Sequence, residues 1–325
     1  MDIGGTDRVP DFGGFYHDSD KDKACPDIDL VDLDGDGDLD LLQVYHVDVM
    51  ELGAHYSPIE YRQGVFCWKN LLKETGELKY EKIESNGLAI EARLRYNSKT
   101  KKLRAEGKAP GLPYSSFADI DNDGDLDILA VGPGTPGEGA FAPRTEYAGG
   151  RFWSNLGNFQ FEVATDEVGL TPVTWTYGKW MEFFDAQLPR RPQAPIQPSE
   201  RFPYYSDALF GDYNNDGWLD VVVMDRNESS FIATRAALFM NRGDGTFEVK
   251  PTTFSGLDDG GISGEAADLN NDGLLDLVFA QDPDNTGVAT SMAGYESRIY
   301  WNTGLHGAKK NHWLRLRFSG VSDAE

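Results

Sequence analysis

A nine-residue acidic pattern occurs four times in the chain, and it constrains the fold more than any other feature. Each copy reads D-x-[DN]-x-D-G-x-L-D and leads directly into a short aliphatic run. We number its positions 1 to 9 and name the copies loop 1 (32–40), loop 2 (119–127), loop 3 (212–220) and loop 4 (268–276). Copies with identical internal spacing predict a repeated unit, and such units stack to bury a shared core.

The spacing of oxygen-bearing residues in each loop is typical of calcium ligands. Calcium takes about 6 to 8 oxygen ligands, which a tight loop can supply from alternate residues. Positions 1, 3, 5 and 9 offer side-chain oxygens and position 7 its backbone carbonyl, while the glycine at position 6 permits a positive φ. We therefore predict about four structural Ca²⁺ ions. The predicted ligands are Asp32, Asp34, Asp36, Asp38, Asp40, Asp119, Asp121, Asp123, Asp125, Asp127, Asp212, Asn214, Asp216, Trp218, Asp220, Asp268, Asn270, Asp272, Leu274 and Asp276.

The loops allow two other interpretations. An EF-hand needs a bidentate glutamate at position 12 and flanking helices. Position 12 is Gln43, Ala130, Val223 or Phe279, and the flanking runs resemble buried strands, so each loop is expected to join two strands. Metal-free acidic turns remain an alternative, although clustered carboxylates would cost several kcal/mol in repulsion or raise their pKa values. Because Asn214 and Asn270 replace a carboxylate, loops 3 and 4 should bind calcium more weakly.

A second repeated feature follows each loop. It begins with an aromatic residue, any residue and asparagine, which is followed in three copies by a glycine two positions later, as in a hairpin. An aromatic-Glu strand and a Gly-Leu pair come next, so each unit is predicted to have four strands and three turns. The asparagine triplets are Trp68-Lys69-Asn70, Trp153-Ser154-Asn155, Phe239-Met240-Asn241 and Tyr300-Trp301-Asn302, and the Gly-Leu pairs begin at 87, 169 and 256.

These motifs together resemble the FG-GAP/VCBS repeat of integrin-like β-propellers over residues 27–304. The resemblance implies an all-β fold, a β-propeller of four-stranded blades with strand-loop-strand calcium sites. Four blades can be counted, and the family suggests seven. Residues 1–26 form an N-terminal lead-in. The C-terminal segment 302–325 resembles the start of an ASPIC/UnbV-like region, as in cartilage-acidic-protein-like chains, so 305–325 is either a closing strand or the truncated start of that region.

Two insertions lengthen the repeats, at about 89–116 and 171–206, and binding chemistry concentrates on loops of this kind. Segment 90–108 is basic and alternates like a hairpin, which fits either a solvated protrusion or a contact for an acidic ligand. Segment 171–206 is rich in aromatic residues and proline. It fits either a lid packed on the propeller or a carbohydrate or protein site.

The charge of the chain restricts its partners. A formal net charge of −24 argues against nucleic acid or an anionic membrane and favours cations. No stretch approaches the ~20 apolar residues of a spanning helix, so no transmembrane segment is predicted. The N-terminus MDIGGTDRVP lacks the regions of a signal peptide, so the chain is expected to begin at a mature boundary. Cys25 and Cys67 could form a disulfide or remain two thiols.

Two functional classes remain open. The leading hypothesis is an extracytoplasmic calcium-binding scaffold for protein or carbohydrate binding or adhesion, because weak calcium sites fill outside cells, at the surface or in a periplasm. The alternative is a propeller enzyme acting on a carbohydrate or other polar substrate. The sequence contains no Gly-x-Ser-x-Gly elbow, phosphate loop or His-Glu-x-x-His helix. A cluster of His46, Asp48, Glu51 and His55 is the enzymatic candidate, and polar residues at a strand exit are the simpler interpretation.

Overall fold

A computed structural model describes the parts of the chain that carry the four loops and the strands around them. The described residues are 24–47, 60–84, 86–88, 92–97, 102–107, 114–132, 150–174, 205–225, 236–251, 255, 257, 261–280 and 297–304. The predicted lead-in therefore lies mostly outside them, and segment 305–325 lies wholly outside.

The described residues form an all-β structure with two short helical segments. A four-residue helix, α1 (Leu72–Thr75), follows β3, and a 3-10 helix covers Thr171–Thr174. The strands are β1 (Ala24–Val31), β2 (Asp40–Val47), β3 (Glu60–Asn70), β4 (Tyr80–Lys82), β5 (Ala92–Asn97), β6 (Lys102–Gly107), β7 (Tyr114–Ala118), β8 (Asp127–Val131), β9 (Gly150–Asn155), β10 (Phe161–Val163), β11 (Tyr205–Gly211), β12 (Asp220–Asp225), β13 (Ala236–Asn241), β14 (Phe247–Lys250), β15 (Ser263–Ala267), β16 (Asp276–Ala280) and β17 (Arg298–Tyr300).

The described strands pair into four antiparallel sheets, one for each loop. Sheet 1 contains β1–β6, sheet 2 β7–β10, sheet 3 β11–β14 and sheet 4 β15–β17. Loops 1 to 4 join the first two strands of their sheets, which confirms the predicted strand-to-strand connection. The predicted four-stranded unit is present in sheets 2 and 3. Sheet 1 adds a hairpin to it, and sheet 4 has three strands within the described residues.

The extra hairpin of sheet 1 comes from the basic insertion. Strands β5 and β6 pair from Ala92↔Gly107 to Asn97↔Lys102, and β5 also pairs with the N-terminal part of β3. The predicted hairpin is therefore confirmed at the level of the backbone. Because β3 is 11 residues long, it can pair with the short β4 near one end and with β5 near the other.

Successive sheets pack face to face, and alternate residues of one strand serve two neighbours. In β8, Ile128 and Ala130 belong to the core shared with sheet 1, whereas Leu129 and Val131 belong to the core shared with sheet 3. In β12, Val222 packs toward sheet 4. Sheets 2 and 3 thus bury both faces. This explains why residues 128–131 of β8 and 221–224 of β12 are all apolar.

The segments that leave sheets 1 and 2 are fixed to the next sheet at their Gly-Leu pairs. Gly87 has φ +87°, and a Cβ placed on it would lie 1.8 Å from the carbonyl oxygen of Phe161 in sheet 2. The Phe161 N–H donates to the Asn86 carbonyl at 2.8 Å, and Leu88 is fully buried between the sheets. Gly169 repeats this close approach against Phe247 of sheet 3. The pair is therefore a link between sheets, and only glycine fits its first position.

Among the described residues, no helix has the length and apolar character needed to span a membrane.

Candidate metal sites

The four loops share one backbone shape. The position 6 glycines Gly37, Gly124, Gly217 and Gly273 have φ between +87° and +98°, as the pattern predicts. Position 4 is also left-handed, with φ between +55° and +71°, at Gly35, Asn122, Asn215 and Asn271. This second reversal was not predicted from the sequence, although the restriction of position 4 to glycine or asparagine signals it, because these residues best tolerate that conformation.

Hydrogen bonds within each loop turn the side chains of positions 1, 3 and 5 inward. The position 1 carboxylate accepts the N–H of the position 6 glycine at 2.9–3.0 Å in all four loops. The position 5 carboxylate accepts the N–H of position 7 at 2.9–3.0 Å. Position 3 accepts the N–H of position 5. One oxygen of each of these side chains is thereby fixed.

Loops 1 and 2 bring three carboxylates close enough to hold one ion. Oxygens of Asp32, Asp34 and Asp36 lie within 4.8 Å of one another, as do those of Asp119, Asp121 and Asp123. Within the described residues, loops 3 and 4 have no such carboxylate trio. There the position 3 amide donates to the position 5 carboxylate, from Asn214 to Asp216 at 2.8 Å and from Asn270 to Asp272 at 3.1 Å.

Two carboxylate oxygens of loop 1 are buried without a hydrogen bond. They are Oδ1 of Asp32 and Oδ1 of Asp38, and Asp38 as a whole is only 6% exposed. A buried carboxylate oxygen without a partner is costly, and a cation removes that cost. Hard oxygen donors in this number suit Ca²⁺ better than soft metals. The donor set of the loop therefore fits the ion that the sequence predicts.

The aspartate at position 9 has a different environment, which is the same in all four loops. Asp40, Asp127, Asp220 and Asp276 are 0–4% exposed. One oxygen accepts the N–H of position 2, and the other accepts the N–H of the asparagine in the aromatic-x-Asn triplet, at 2.8–3.3 Å. Since each carboxylate oxygen has two lone pairs, these bonds leave capacity for a metal. They also connect the loop to the third strand of its sheet.

Burial and like charge shift the pKa values of several loop carboxylates. Burial raises the pKa of Asp127 and Asp220 to about 7 and that of Asp40 to about 6, against the effect of their backbone hydrogen bonds. The pKa of Asp121 is raised by burial and by the charges of Asp123 and Asp119. Without a cation these carboxylates thus resist ionisation, and a bound divalent ion would favour their charged form.

The asparagines of the second, third and fourth triplets join neighbouring sheets, a role that was not predicted. The Asn155 amide donates to the Leu33 carbonyl of loop 1 at 2.9 Å, and Asn241 donates to the Ile120 carbonyl of loop 2 at the same distance. Asn302 donates to the Tyr213 carbonyl of loop 3 at 2.7 Å. In each case the acceptor is position 2 of the preceding loop. The repetition of asparagine at or just after the end of the third strand was the available sequence signal.

The first strands of successive sheets lie beside one another, in the order β1, β7, β11, β15. Polar contacts join them at one edge of the stack. The Ser115 hydroxyl donates to the Asp29 carboxylate, the Ser116 hydroxyl to the Ala208 carbonyl at 2.7 Å, and the Gly264 N–H to Asp207 at 3.1 Å. The sheets therefore follow one another in space in their chain order.

Loop 1 differs from the others in two neighbours that the sequence did not identify. Lys69, the middle residue of the first triplet, forms ion pairs with Asp34 and Asp36. Glu74 on α1 pairs with the same lysine and lies near Asp36 and Asp38. Three hydrogen bonds to carboxylates outweigh the effect of burial and raise the pKa of Lys69 above its usual value.

Several other predicted residues lie outside the described part or only partly within it. Only the backbone of His46 is described, and His55, Asp48 and Glu51 lie outside, as does most of the aromatic insertion. Its first residues form the 3-10 helix, where Val173 is fully buried in the core of sheets 2 and 3. Cys67 is a free buried thiol that accepts a hydrogen bond from the Asn86 amide at 2.8 Å.

Comparison with known families identifies an FG-GAP-like repeat at residues 212–279. This range starts at position 1 of loop 3 and ends within β16, after loop 4. Repeats of this family are typical of extracellular adhesion or binding scaffolds. The search of curated proteins found no match.

Proposed function

We propose that the chain is an extracytoplasmic, calcium-stabilised scaffold for protein or carbohydrate binding or adhesion, built as a β-propeller. The observation that carries this proposal is the fourfold recurrence of one loop geometry, each copy at the same place in its own sheet. A catalytic site has no reason to recur in every sheet, whereas a structural ion does. The FG-GAP-like repeat at 212–279 supports the same class of function.

The propeller part of the proposal rests on how the sheets are stacked. Sheets 2 and 3 bury both faces, and the first strands of the four described sheets are neighbours in chain order. Four-stranded antiparallel sheets that cover one another in this way are typical of propeller blades, which supports the proposal. The triplet asparagines of sheets 2, 3 and 4 each donate to position 2 of the preceding loop, so the same contact connects each pair of successive sheets.

Calcium is proposed to act structurally in all four loops. Positions 1, 3 and 5 would supply side-chain oxygens, position 7 its carbonyl and position 9 its remaining lone pairs. An ion there would stabilise the loop between the first two strands, which position 9 already connects to the third strand by a hydrogen bond. Sites of this kind reach Kd values up to about 1 mM in extracellular modules, which suits a secreted, surface or periplasmic protein.

Calcium-dependent melting tests the proposal. With free calcium near 1 mM and a Kd near ~0.1 mM, each occupied site adds about 1.4 kcal/mol to the free energy of unfolding. We expect scanning calorimetry to show a melting temperature several degrees higher in calcium than in excess chelator. Magnesium at the same concentration is the control, because it prefers a smaller octahedral site. Equal melting temperatures in calcium and chelator would contradict the calcium part of the proposal.

Ligand binding is proposed to lie in the insertions rather than in the repeated scaffold. The test replaces residues 175–204 with a short Gly-Ser linker and leaves Val173 in the core, where it is fully buried. We expect the variant to melt like the parent protein and to lose binding in a screen of glycans and protein ligands. Binding that survives the replacement would locate the ligand surface elsewhere.

A further inference from the structure

Lys69 gives loop 1 a feature that the other loops lack. It is the middle residue of the first aromatic-x-Asn triplet, which forms the end of the third strand of its sheet. The equivalent residues of the other copies carry no positive charge. They are Ser154, Met240 and Trp301.

The ammonium group of Lys69 is held by three carboxylates. It forms a short ion pair with Asp34 and lies 3.3 Å from Oδ2 of Asp36 and 2.5 Å from Oε1 of Glu74. An ammonium has three N–H donors, so these three acceptors satisfy it completely. The ring of Phe159, from the neighbouring sheet, lies 5.6 Å from the ammonium. The side chain is only 20% exposed and is therefore held in place beside the loop.

Two of these carboxylates, at positions 3 and 5 of loop 1, belong to the proposed calcium site. An ion and the ammonium would compete for the same oxygens. Asp32 Oδ1, which belongs to the same carboxylate trio, is buried without a hydrogen bond. The lysine thus satisfies part of the ligand set and leaves an oxygen that a divalent ion would use. Glu74, which is outside the loop on α1, can retain the ammonium after an ion has taken the others.

We propose that Lys69 is a built-in competitor for calcium in loop 1, which occupies the site at low calcium and must leave it before an ion binds. This inference rests on the proposed calcium role of the loops. It makes loop 1 fill after loop 2, although both have carboxylates at positions 1, 3, 5 and 9. It also predicts that loop 1 keeps its shape without calcium, because an internal cation already screens its charges.

Hydrogen exchange during a calcium titration can follow the two loops separately. Peptides that cover 32–40 and 119–127 report the calcium midpoint of each loop in the intact protein. We expect Lys69→Met to lower the midpoint of loop 1 about tenfold, since charged hydrogen bonds no longer oppose the ion. Ser154→Lys should raise the midpoint of loop 2. Lys73→Met is the matched control, because it removes a positive charge that lies close to Gly37 of loop 1 but forms no ion pair with a described residue. Its calcium midpoint for loop 1 should shift much less than that of Lys69→Met.

The outcomes separate this inference from the proposed function. A tenfold shift confined to loop 1 in Lys69→Met supports the inference, whereas a midpoint equal to that of the parent protein overturns it. If Lys69→Met does not fold, the Ser154→Lys variant decides the matter. An unchanged calcium midpoint of loop 2 in that variant then overturns the inference. If loops 2 to 4 of the parent protein do not respond to calcium, the proposed function fails. The inference then survives only if loop 1 of Lys69→Met gains a calcium response.

Discussion

Each loop contains the same residue type in two contrasting environments. The aspartate at position 9 is buried and accepts two backbone N–H groups, whereas those at positions 1 and 5 lie in the acidic turn. The first joins the loop to its sheet whether or not a metal is present. The others approach like charges and depend on a cation to offset the repulsion. With the proposed calcium ion, one motif would have a metal-independent part and a metal-dependent part, and variants can separate them.

The largest effect should follow the loss of the buried aspartate. In loop 3, Asp220→Ala removes the acceptor of the Tyr213 N–H at 3.1 Å and of the Asn241 N–H at 2.9 Å. Unsatisfied buried donors cost about 1–3 kcal/mol each, so unfolding should require about 2–6 kcal/mol less free energy. Denaturant unfolding in excess chelator measures this loss without any calcium contribution.

The control for that variant is Asp244→Asn in the nearby turn, which removes an exposed charge but keeps the oxygen that accepts the N–H and the hydroxyl of Thr246. A large loss for Asp220→Ala in chelator, with little change for the control, would support the separation. If Asp220→Ala were destabilising only in calcium, position 9 would act as a ligand and not as a metal-independent tie.

A smaller loss should follow the removal of an asparagine between sheets. Asn241→Ala removes the hydrogen bonds that the side-chain amide donates to the carbonyls of Ile120 at 2.9 Å and Leu219 at 3.2 Å. It also removes the acceptor of the Gly243 N–H. We expect a loss of about 1–3 kcal/mol in both calcium and chelator, measured by denaturant unfolding.

Asn70→Ala is the matched control for Asn241→Ala. The Asn70 amide donates to Leu39 in its own loop, and within the described residues it reaches no carbonyl of a preceding loop. Its loss should therefore be the smaller of the two. Equal losses would show that the bond within the sheet, and not the bond between sheets, provides the stability.

The sequence allowed much of the local fold to be predicted, because its signals are periodic and repeated. The strand-to-strand loops, the aromatic-Glu strands at β4, β10 and β14 and the left-handed glycines agree with the pattern. What it could not provide was the partner of each side chain across a long separation. The amide of Asn155 and the carbonyl of Leu33 are 122 residues apart, and spacing within one repeat cannot reveal that contact.

Sequence spacing also gave an incomplete account of the loops themselves. It treated positions 1, 3, 5 and 9 as equivalent oxygen donors. The aspartate at position 9 is nevertheless buried, because it is the first residue of the second strand of its sheet. It compared the loops by counting carboxylates and overlooked Lys69, which reaches loop 1 from a strand more than 30 residues away. The net negative charge around an ion in loop 1 depends on Lys69 and Glu74, and the packing of β3 and α1 against the loop places both residues there.

The smallest effect should come from the metal-dependent part of a loop. Asp123→Asn keeps the oxygen that accepts the Asp125 N–H at 2.9 Å and removes a charge that helps to raise the pKa of Asp121. In chelator, stability should be unchanged or rise slightly, because repulsion is relieved. In calcium, the variant should lose up to about 1.4 kcal/mol of the stabilisation by the ion, as measured by denaturant unfolding. Asp125→Asn is the control, since its position is proposed to contribute a backbone carbonyl, and its calcium effect should stay close to that of the parent protein. Equal destabilisation of Asp123→Asn in chelator and in calcium would instead assign position 5 to the metal-independent part of the loop.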